Sequence, residues 1–194
     1  MELGHQYDKV LDLGRSMAHY EKALRSKEHR GDERGVAAVL NNIGIIQFQQ
    51  GDVAGALRLQ ERCMAIYEAL GDSAHVAATL NRIGVSLRGQ GRVDESLVMH
   101  QRSLELYRAF GREMGSSAAL NNMAAAYDLL GEHDKAAACA QQSLAIRERE
   151  GETFAVGYAC IQLGWARLHQ GRAPEAVEHG ERARRIAVRI KLMT

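Results

Sequence analysis

The chain of 194 residues carries 25 basic and 24 acidic side chains, and 46% of it is hydrophobic but only 5% aromatic. This charge balance argues against nucleic acid or an anionic membrane as the partner, and no apolar run approaches the roughly 20 residues of a membrane span. No signal-peptide pattern opens the sequence. Cys63, Cys139 and Cys160 lack metal-ligand spacing and lie in apolar stretches, so we expect reduced core residues of a cytoplasmic protein.

Similar sequence returns every 40 residues along the chain, after Gly31, Gly71, Gly111 and Gly151. The central stretch reads LNNIG at 40–44, LNRIG at 80–84, LNNMA at 120–124 and CIQLG at 160–164. A fixed period of this size is the signature of a repeat array. Such arrays present long binding surfaces, so the period predicts binding without identifying the partner.

Residues 1–30 come first and align as a degenerate or truncated N-terminal repeat. Leu11 stands where the other copies have a turn glycine, and Ala18 and Leu24 continue a helical pattern up to Gly31. We therefore predict the end of one helix, a turn near Leu11, and a second helix.

Three complete repeats follow, at 31–70, 71–110 and 111–150. Each predicts two helices: in the first repeat, Val36, Leu40 and Ile43 recur at spacings of four and three, and Gly51 separates the two halves as a helix-ending residue. Small residues stand where the paired helices are expected to cross, at Gly44 with Ala56, Gly84 with Ser96, Ala124 with Ala136, and Gly164 with Ala176.

The last repeat, 151–194, ends in a basic helix. Pro174 falls in the first turn of that helix, where its missing N–H costs nothing. The basic residues are Arg182, Arg184, Arg185, Arg189 and Lys191. They could bind phosphate or an acidic partner, but Glu178 and Glu181 dilute them and no aromatic residues interleave, so a solvated helix is the preferred interpretation.

Apolar residues continue to the C-terminus, where a terminal repeat normally has a polar outer face. These residues are Ile186, Ile190, Leu192 and Met193. Two explanations fit: the chain is a segment of a longer protein, or it associates with itself through an uncapped end.

Leu40, Ile43, Gly44, Gly51, Ala56 and Met64, with their equivalents 40, 80 and 120 residues on, form a recognisable pattern. This pattern resembles the tetratricopeptide repeat family. The usual repeat has about 34 residues, so the longer spacing here is similar to the branch that includes kinesin light chains, mitotic-spindle regulators with linked G-protein motifs, and sensor arms of bacterial regulators. The resemblance implies an all-α fold, a right-handed superhelical solenoid of nine or ten antiparallel helices in pairs.

The resemblance also implies a concave groove lined by the first helix of each repeat. Residues four and seven apart share a helix face, which predicts a set of groove residues: Asn41, Asn42, Ile45, Phe48, Asn81, Arg82, Val85, Arg88, Asn121, Asn122, Asp128, Trp165 and Leu168. The amides can pair with both groups of a peptide backbone, and Trp and Arg are frequent interface anchors. The asparagines could equally serve helix packing, and Trp165 could equally belong to the core.

We therefore expect a protein–protein interaction module that holds a peptide segment of a partner protein, without a cofactor. The alternative is a ligand- or peptide-sensing arm of a larger bacterial signalling or transcription regulator, which would use the same groove. Gly89-Gln90-Gly91 lacks the third glycine and the preceding strand of a dinucleotide fingerprint, and no serine lies in a nucleophile elbow. We predict that the chain is not an enzyme.

Histidines are the remaining candidates for chemistry. Glu175 and His179 lie one helical turn apart, and His169 precedes them across a turn. Two or three such ligands could hold zinc, but a solvated helix surface is the preferred interpretation, so we predict no metal site. His133-Asp134 opens a helix and is expected to contribute to its start.

Overall fold

The structure, a computed structural model, describes residues 2–151 and 153–191, with side chains for 16–151 and 154–189. Throughout these ranges every regular element is an α-helix. The helices are α1 (Glu2–His29), α2 (Glu33–Gln49), α3 (Val53–Ala69), α4 (Ser73–Gly89), α5 (Val93–Ala109), α6 (Glu113–Leu129), α7 (His133–Arg149), α8 (Thr153–His169) and α9 (Ala173–Lys191). Leu192, Met193 and the side chain of Ile190, which belong to the predicted apolar tail, lie outside the described residues.

The helices form two compact units, the first ending at Gln90 and the second beginning at Gly91. In the first unit each helix packs on the next in sequence, from α1 through α4. The same order holds in the second unit from α5 through α9, and α6 also contacts α8. No helix in the described part of the chain has the length and apolar character needed to cross a membrane.

Glycines with a positive φ angle end the helices at intervals of 20 residues, at Gly31, Gly51, Gly71, Gly91, Gly111, Gly131, Gly151 and Gly171. At Gly51 φ is 88°, and the amide of Asp52 donates a hydrogen bond back to the carbonyl of Gln47 at 2.9 Å. This bond gives a partner to one of the carbonyl groups in the last turn of α2. The Asp52 carboxylate then accepts from the amide of Gly55 at 2.8 Å and caps α3. The spacing gives two helices for each 40-residue copy, as predicted.

Helix α1 differs from the prediction for residues 1–30. It runs without a break over Glu2–His29, whereas the alignment predicted a turn near Leu11. The helices of the array end at glycines in the left-handed conformation, which strains any residue that carries a Cβ. Leu11 cannot take that role without strain, so the chain continues as one helix.

Small residues bring α2 against α3 and α8 against α9. A Cβ atom built on Gly44 would lie 3.5 Å from the carbonyl oxygen of Ala56, and one on Gly164 would lie 3.4 Å from that of Ala176. Alanine fits at these distances, but a larger side chain would force the helices apart. The predicted small-residue crossings at these two pairs are confirmed.

Buried polar bonds join three helices of the second unit. The Ser143 hydroxyl on α7 donates to the carbonyl of Ser117 on α6 at 2.8 Å. Arg147, only 6% exposed, donates to the Ser117 hydroxyl at 3.2 Å and to the carbonyl of Ala155 on α8 at 2.5 Å. Because buried polar groups are costly when unpaired, these bonds are part of what holds α6, α7 and α8 in register.

All three cysteines are buried and none forms a disulfide. Burial raises the pKa of the thiols of Cys63, Cys139 and Cys160. The Cys63 thiol donates to the carbonyl of Ala37 at 3.0 Å. The cysteines are therefore core residues, as the sequence predicted, and their raised pKa makes them poor nucleophiles.

Candidate functional site

The predicted groove residues all lie on the first helix of a repeat. In the first unit α2 carries Asn41, Asn42, Ile45 and Phe48, and α4 carries Asn81, Arg82, Val85 and Arg88; in the second unit α6 carries Asn121, Asn122 and Asp128, and α8 carries Trp165 and Leu168. Each unit thus presents its own part of the set.

In the first unit the apolar members of the set are only partly available. Ile45 lies at the surface, and Val85 is half-buried. Phe48 is half-buried against Gly89 of α4, where a Cβ atom would lie 3.4 Å from the Phe48 ring and 3.7 Å from Val53 of α3. The end of α2 therefore packs on its neighbours in the same unit.

The two arginines of α4 are also half-buried. The Nε atom of Arg88 is buried and has no hydrogen-bond partner within the described residues, and burial lowers the pKa of the Arg88 guanidinium. Because Arg82 is half-buried as well, both predicted groove cations are partly withdrawn from solvent, and each exerts a stronger electrostatic field on a ligand that reaches it.

The asparagines of the predicted groove differ in their surroundings. The side-chain oxygens of Asn41 and Asn121 are buried and have no hydrogen-bond partner within the described residues, whereas Asn81 and Asn122 have interaction partners. For Asn41 or Asn121 to accept a hydrogen bond from a ligand N–H, the side-chain amide must rotate about its terminal bond. That rotation exchanges the positions of its oxygen and nitrogen and brings the oxygen out of its buried position.

Helix α8 presents an exposed apolar stripe along its length. Phe154, Tyr158, Ile161, Trp165 and Leu168 follow at spacings of four, three, four and three, so they share one helix face. Each is between 42% and 59% exposed. The exposure of Trp165 excludes the alternative that it belongs to the core. We call these five residues the α8 stripe.

Two open apolar cavities lie along the α8 stripe, where α8 meets α9. One, of about 360 Å³, is lined by residues that include Trp165 and Val177. The other, of about 270 Å³, is lined by residues that include Tyr158 and Ile186. Both offer apolar walls to a side chain of a partner.

Asp128, near the end of α6, lies between two histidines. Its Oδ1 atom is 2.9 Å from Nδ1 of His133, the first residue of α7, and 2.8 Å from Nδ1 of His169, the last residue of α8. The two imidazole centroids are 4.8 Å apart, and His169 also stacks on Trp165 with centroids 6.0 Å apart. We call Asp128, His133 and His169 the Asp128 cluster.

The ligands suggested by sequence spacing do not converge. Glu175 instead pairs with Arg167 and Arg172 at 3.3 Å and 2.5 Å, and burial lowers the pKa of the His179 imidazole. Among the described residues, the group that could hold a metal ion is the Asp128 cluster. Sequence spacing placed His133 only at a helix start. His133 does begin α7, but no side chain caps that helix, and the His133 ring contacts Asp128 of α6 instead.

The basic final helix pairs with acidic neighbours. Arg182 forms an ion pair with Glu148 of α7, and this hydrogen bond raises the pKa of the Arg182 guanidinium. Arg184 lies 2.9 Å from Glu181 on the same helix. These pairs agree with the interpretation of a solvated helix.

Known sequences share the repeat pattern of this chain. Family profiles described as tetratricopeptide repeat match residues 36–70, 75–149 and 157–182. The chain is a tetratricopeptide repeat protein. No curated protein matches it in a sequence search.

Solved structures resemble this tetratricopeptide repeat protein over nearly its whole length. BtubC (BKLC) from P. vanneervenii is 19% identical with a TM-score of 0.80, covering 95% of this chain and 76% of BtubC. A putative kinesin light chain from Podosopora anserina with nearly identical TPR-like repeats is 19% identical with a TM-score of 0.70, covering 97% and 93%. The apo form of RapI is 17% identical with a TM-score of 0.77, covering 96% of this chain and 52% of RapI. At these identities the likeness shows the fold alone, an all-α helical repeat solenoid.

Proposed function

We propose that this tetratricopeptide repeat protein is an interaction scaffold that binds a peptide segment of a partner protein on the first helices of its repeats. In the second unit the binding surface is the α8 stripe with the neighbouring amides of Asn121 and Asn122. In the first unit it is Asn41, Asn81 and the residues around them.

The α8 stripe is the observation that carries this proposal. At the same repeat positions 40 residues earlier, α6 has Met114, Ala118, Asn121, Ala125 and Asp128, which are smaller or more polar. Contiguous exposed apolar surface marks interaction sites. A row of five large apolar side chains on one exposed face is therefore suited to a partner with apolar side chains of its own.

The spacing of the α8 stripe favours a particular partner geometry. Alternating steps of four and three residues form the seam that an amphipathic helix packs against. A partner segment with apolar residues at the same spacing can insert them into the two cavities beside Trp165 and Tyr158. The asparagine amides would then hydrogen-bond to polar groups at the rim of the segment.

A sensing arm of a larger bacterial regulator is the second candidate. The 40-residue period favours it, because that period resembles the repeats in sensor arms of bacterial regulators. The two candidates share the binding surface and differ in what is attached to it. The flanking sequence of the gene decides between them, because an effector domain beyond either end would favour the regulator.

The test is selection of binders from a displayed library of random peptides, followed by calorimetric titration of the enriched peptides. Trp165→Ala should weaken binding by at least about 10-fold, since a central aromatic anchor contributes about 2 kcal/mol or more. Phe110→Ala is the matched control, because Phe110 is 53% exposed against 52% for Trp165 but lies outside the α8 stripe.

Several outcomes would count against the proposal. If Trp165→Ala binds the selected peptides as tightly as the native chain and the control Phe110→Ala do, the partner site is elsewhere. If the native chain sediments as a dimer and Trp165→Ala abolishes only that dimer, the α8 stripe binds a second copy of this chain. Asn81→Ala with Asn121→Ala tests the amides separately: a loss of about 1–3 kcal/mol per amide is expected if they bind the ligand, with an unchanged melting curve.

A further inference from the structure

The Asp128 cluster draws one ligand atom from each of three helices. The carboxylate belongs to α6, and the two imidazoles belong to α7 and α8. The three ligand atoms all lie within 4.8 Å of one another. Because His169 follows Asp128 by 41 residues, only the packing of three helices brings the ligands together.

The donor set fits a transition-metal ion. Zinc lies about 2.0–2.1 Å from imidazole nitrogen and carboxylate oxygen, so two ligands of a tetrahedral ion are about 3.3 Å apart. The Asp128–His133 and Asp128–His169 distances of 2.9 Å and 2.8 Å are close to that value. All three ligand atoms lie within 4.8 Å of one another, so the side chains must rotate to bring them to tetrahedral spacing around an ion.

The repeat fold does not require this cluster. At the same positions 80 residues earlier stand Phe48, Val53 and Gly89, which form an apolar contact in the first unit. One array thus builds the same three-helix junction with apolar residues once and with three metal-ligating residues once. This departure from the repeat was the signal in the sequence that could have revealed the cluster.

We propose that Asp128, His133 and His169 bind a divalent transition-metal ion, of which Zn²⁺ fits best. Two imidazoles and one carboxylate suit zinc and its neighbours, whereas Mg²⁺ and Ca²⁺ prefer all-oxygen sites. The three side chains reach solvent, so an ion can enter and keep its fourth position for water or a partner's ligand. The site adjoins Trp165 but does not depend on the proposed peptide function.

The surroundings support a cation at this position. Asp134 lies beside the cluster, and its carboxylate accepts a hydrogen bond from Gln170 at 2.6 Å. Arg172 also lines the adjoining cavity, but its guanidinium is paired with Glu175 at 2.5 Å. The local field is therefore not dominated by an unpaired positive charge.

Titration of the full chain with ZnCl₂ tests the proposal by calorimetry and by fluorescence. We expect one ion per chain with micromolar or tighter affinity, and no binding of MgCl₂ under the same conditions. Trp165 is the single tryptophan and stacks on His169, so zinc binding should change the intrinsic fluorescence along the same isotherm.

Variants locate the ion. His133→Ala should weaken zinc binding by about 10-fold or more, since even the groups that only orient metal ligands contribute 10–100-fold. His169→Gln keeps a hydrogen-bond donor for Asp128 but removes the imidazole, and should weaken binding equally. The matched control is His75→Ala, because His75 lies 2.9 Å from Asp72 without a second histidine beside the pair.

The proposal is overturned if the native chain binds no zinc at millimolar concentration. It is also overturned if zinc binds but His133→Ala and His169→Gln keep native affinity, since the ion then sits elsewhere. Circular dichroism without metal confirms that each variant is folded before its affinity is compared. Trp165→Ala should keep zinc binding while losing peptides, so failure of one proposal is distinguishable from failure of the other.

Discussion

Single residues of the second unit act mainly through what they touch on neighbouring helices. Arg147 is the plainest case, because it is buried on α7 and donates to groups on both α6 and α8. In the sequence, Arg147 stands in the charged run Arg147-Glu148-Arg149, which is typical of a solvent-exposed helix face. Only the packing of α8 against α7 shows that this arginine points inward.

Arg147→Ala is expected to lower the free energy of unfolding by about 1–3 kcal/mol, because it removes the charge-assisted hydrogen bonds that this buried side chain donates to Ser117 and to the carbonyl of Ala155. Arg149→Ala is the control on the same helix: its ion pair with Glu113 is exposed, so its loss should cost less than about 1 kcal/mol. Urea unfolding followed by circular dichroism measures both. Equal losses for the two variants would contradict the role given to Arg147.

At the scale of helices, glycine has two opposite roles in this array. Gly131 has a φ of +77° after α6, where a Cβ would be strained. Gly180 lies within α9 and has nothing within 4 Å of where a Cβ would stand. The same substitution therefore has opposite signs at the two positions.

Gly131→Ala should lower stability by about 1–2 kcal/mol, since the left-handed conformation costs that much for a residue with a Cβ. Gly180→Ala should raise it by up to about 1 kcal/mol through helix propensity. Melting curves of the two variants against the native chain provide the measurement. Two shifts of the same sign would mean that the local backbone does not control these positions.

The sequence predicted these helices well because their signals are local. Each turn glycine and each apolar spacing acts within a few residues of itself. The one prediction at this scale that was wrong, a turn near Leu11, rested on alignment with other repeats. Leu11 carries a Cβ and therefore lacks the conformational freedom of the glycines with which it aligns, and the chain forms one continuous helix.

At the scale of the whole molecule, the main property is that helices contact their neighbours in sequence. Within each unit, each helix packs on the next helix in sequence. In the second unit α6 also contacts α8, which lies two helices further along the chain. Energy in such an array is approximately a sum of repeat and nearest-neighbour terms. A local defect is therefore expected to have a local effect.

Gly44→Leu should test this locality. The leucine would meet the carbonyl of Ala56 and overpack α2 against α3, at a cost of about 1–3 kcal/mol. Hydrogen exchange measured by mass spectrometry should become faster in α2 and α3 and stay unchanged in α7 and α8. Gly44→Ala, which fits at 3.5 Å, should leave exchange nearly native; uniform acceleration in Gly44→Leu would contradict nearest-neighbour coupling.

The sequence by itself determined the repeat, the helix pairs, the turn positions and the small-residue crossings at Gly44 and Gly164, because each depends on local conformation or on the fixed period. It also placed the candidate binding residues on the first helices. The tertiary structure alone decided that Trp165 is exposed, that Arg88 is half-buried, and that Asp128 lies between two histidines. Burial and ligand convergence depend on which helix faces which, and residues 41 positions apart carry no local signal that they meet.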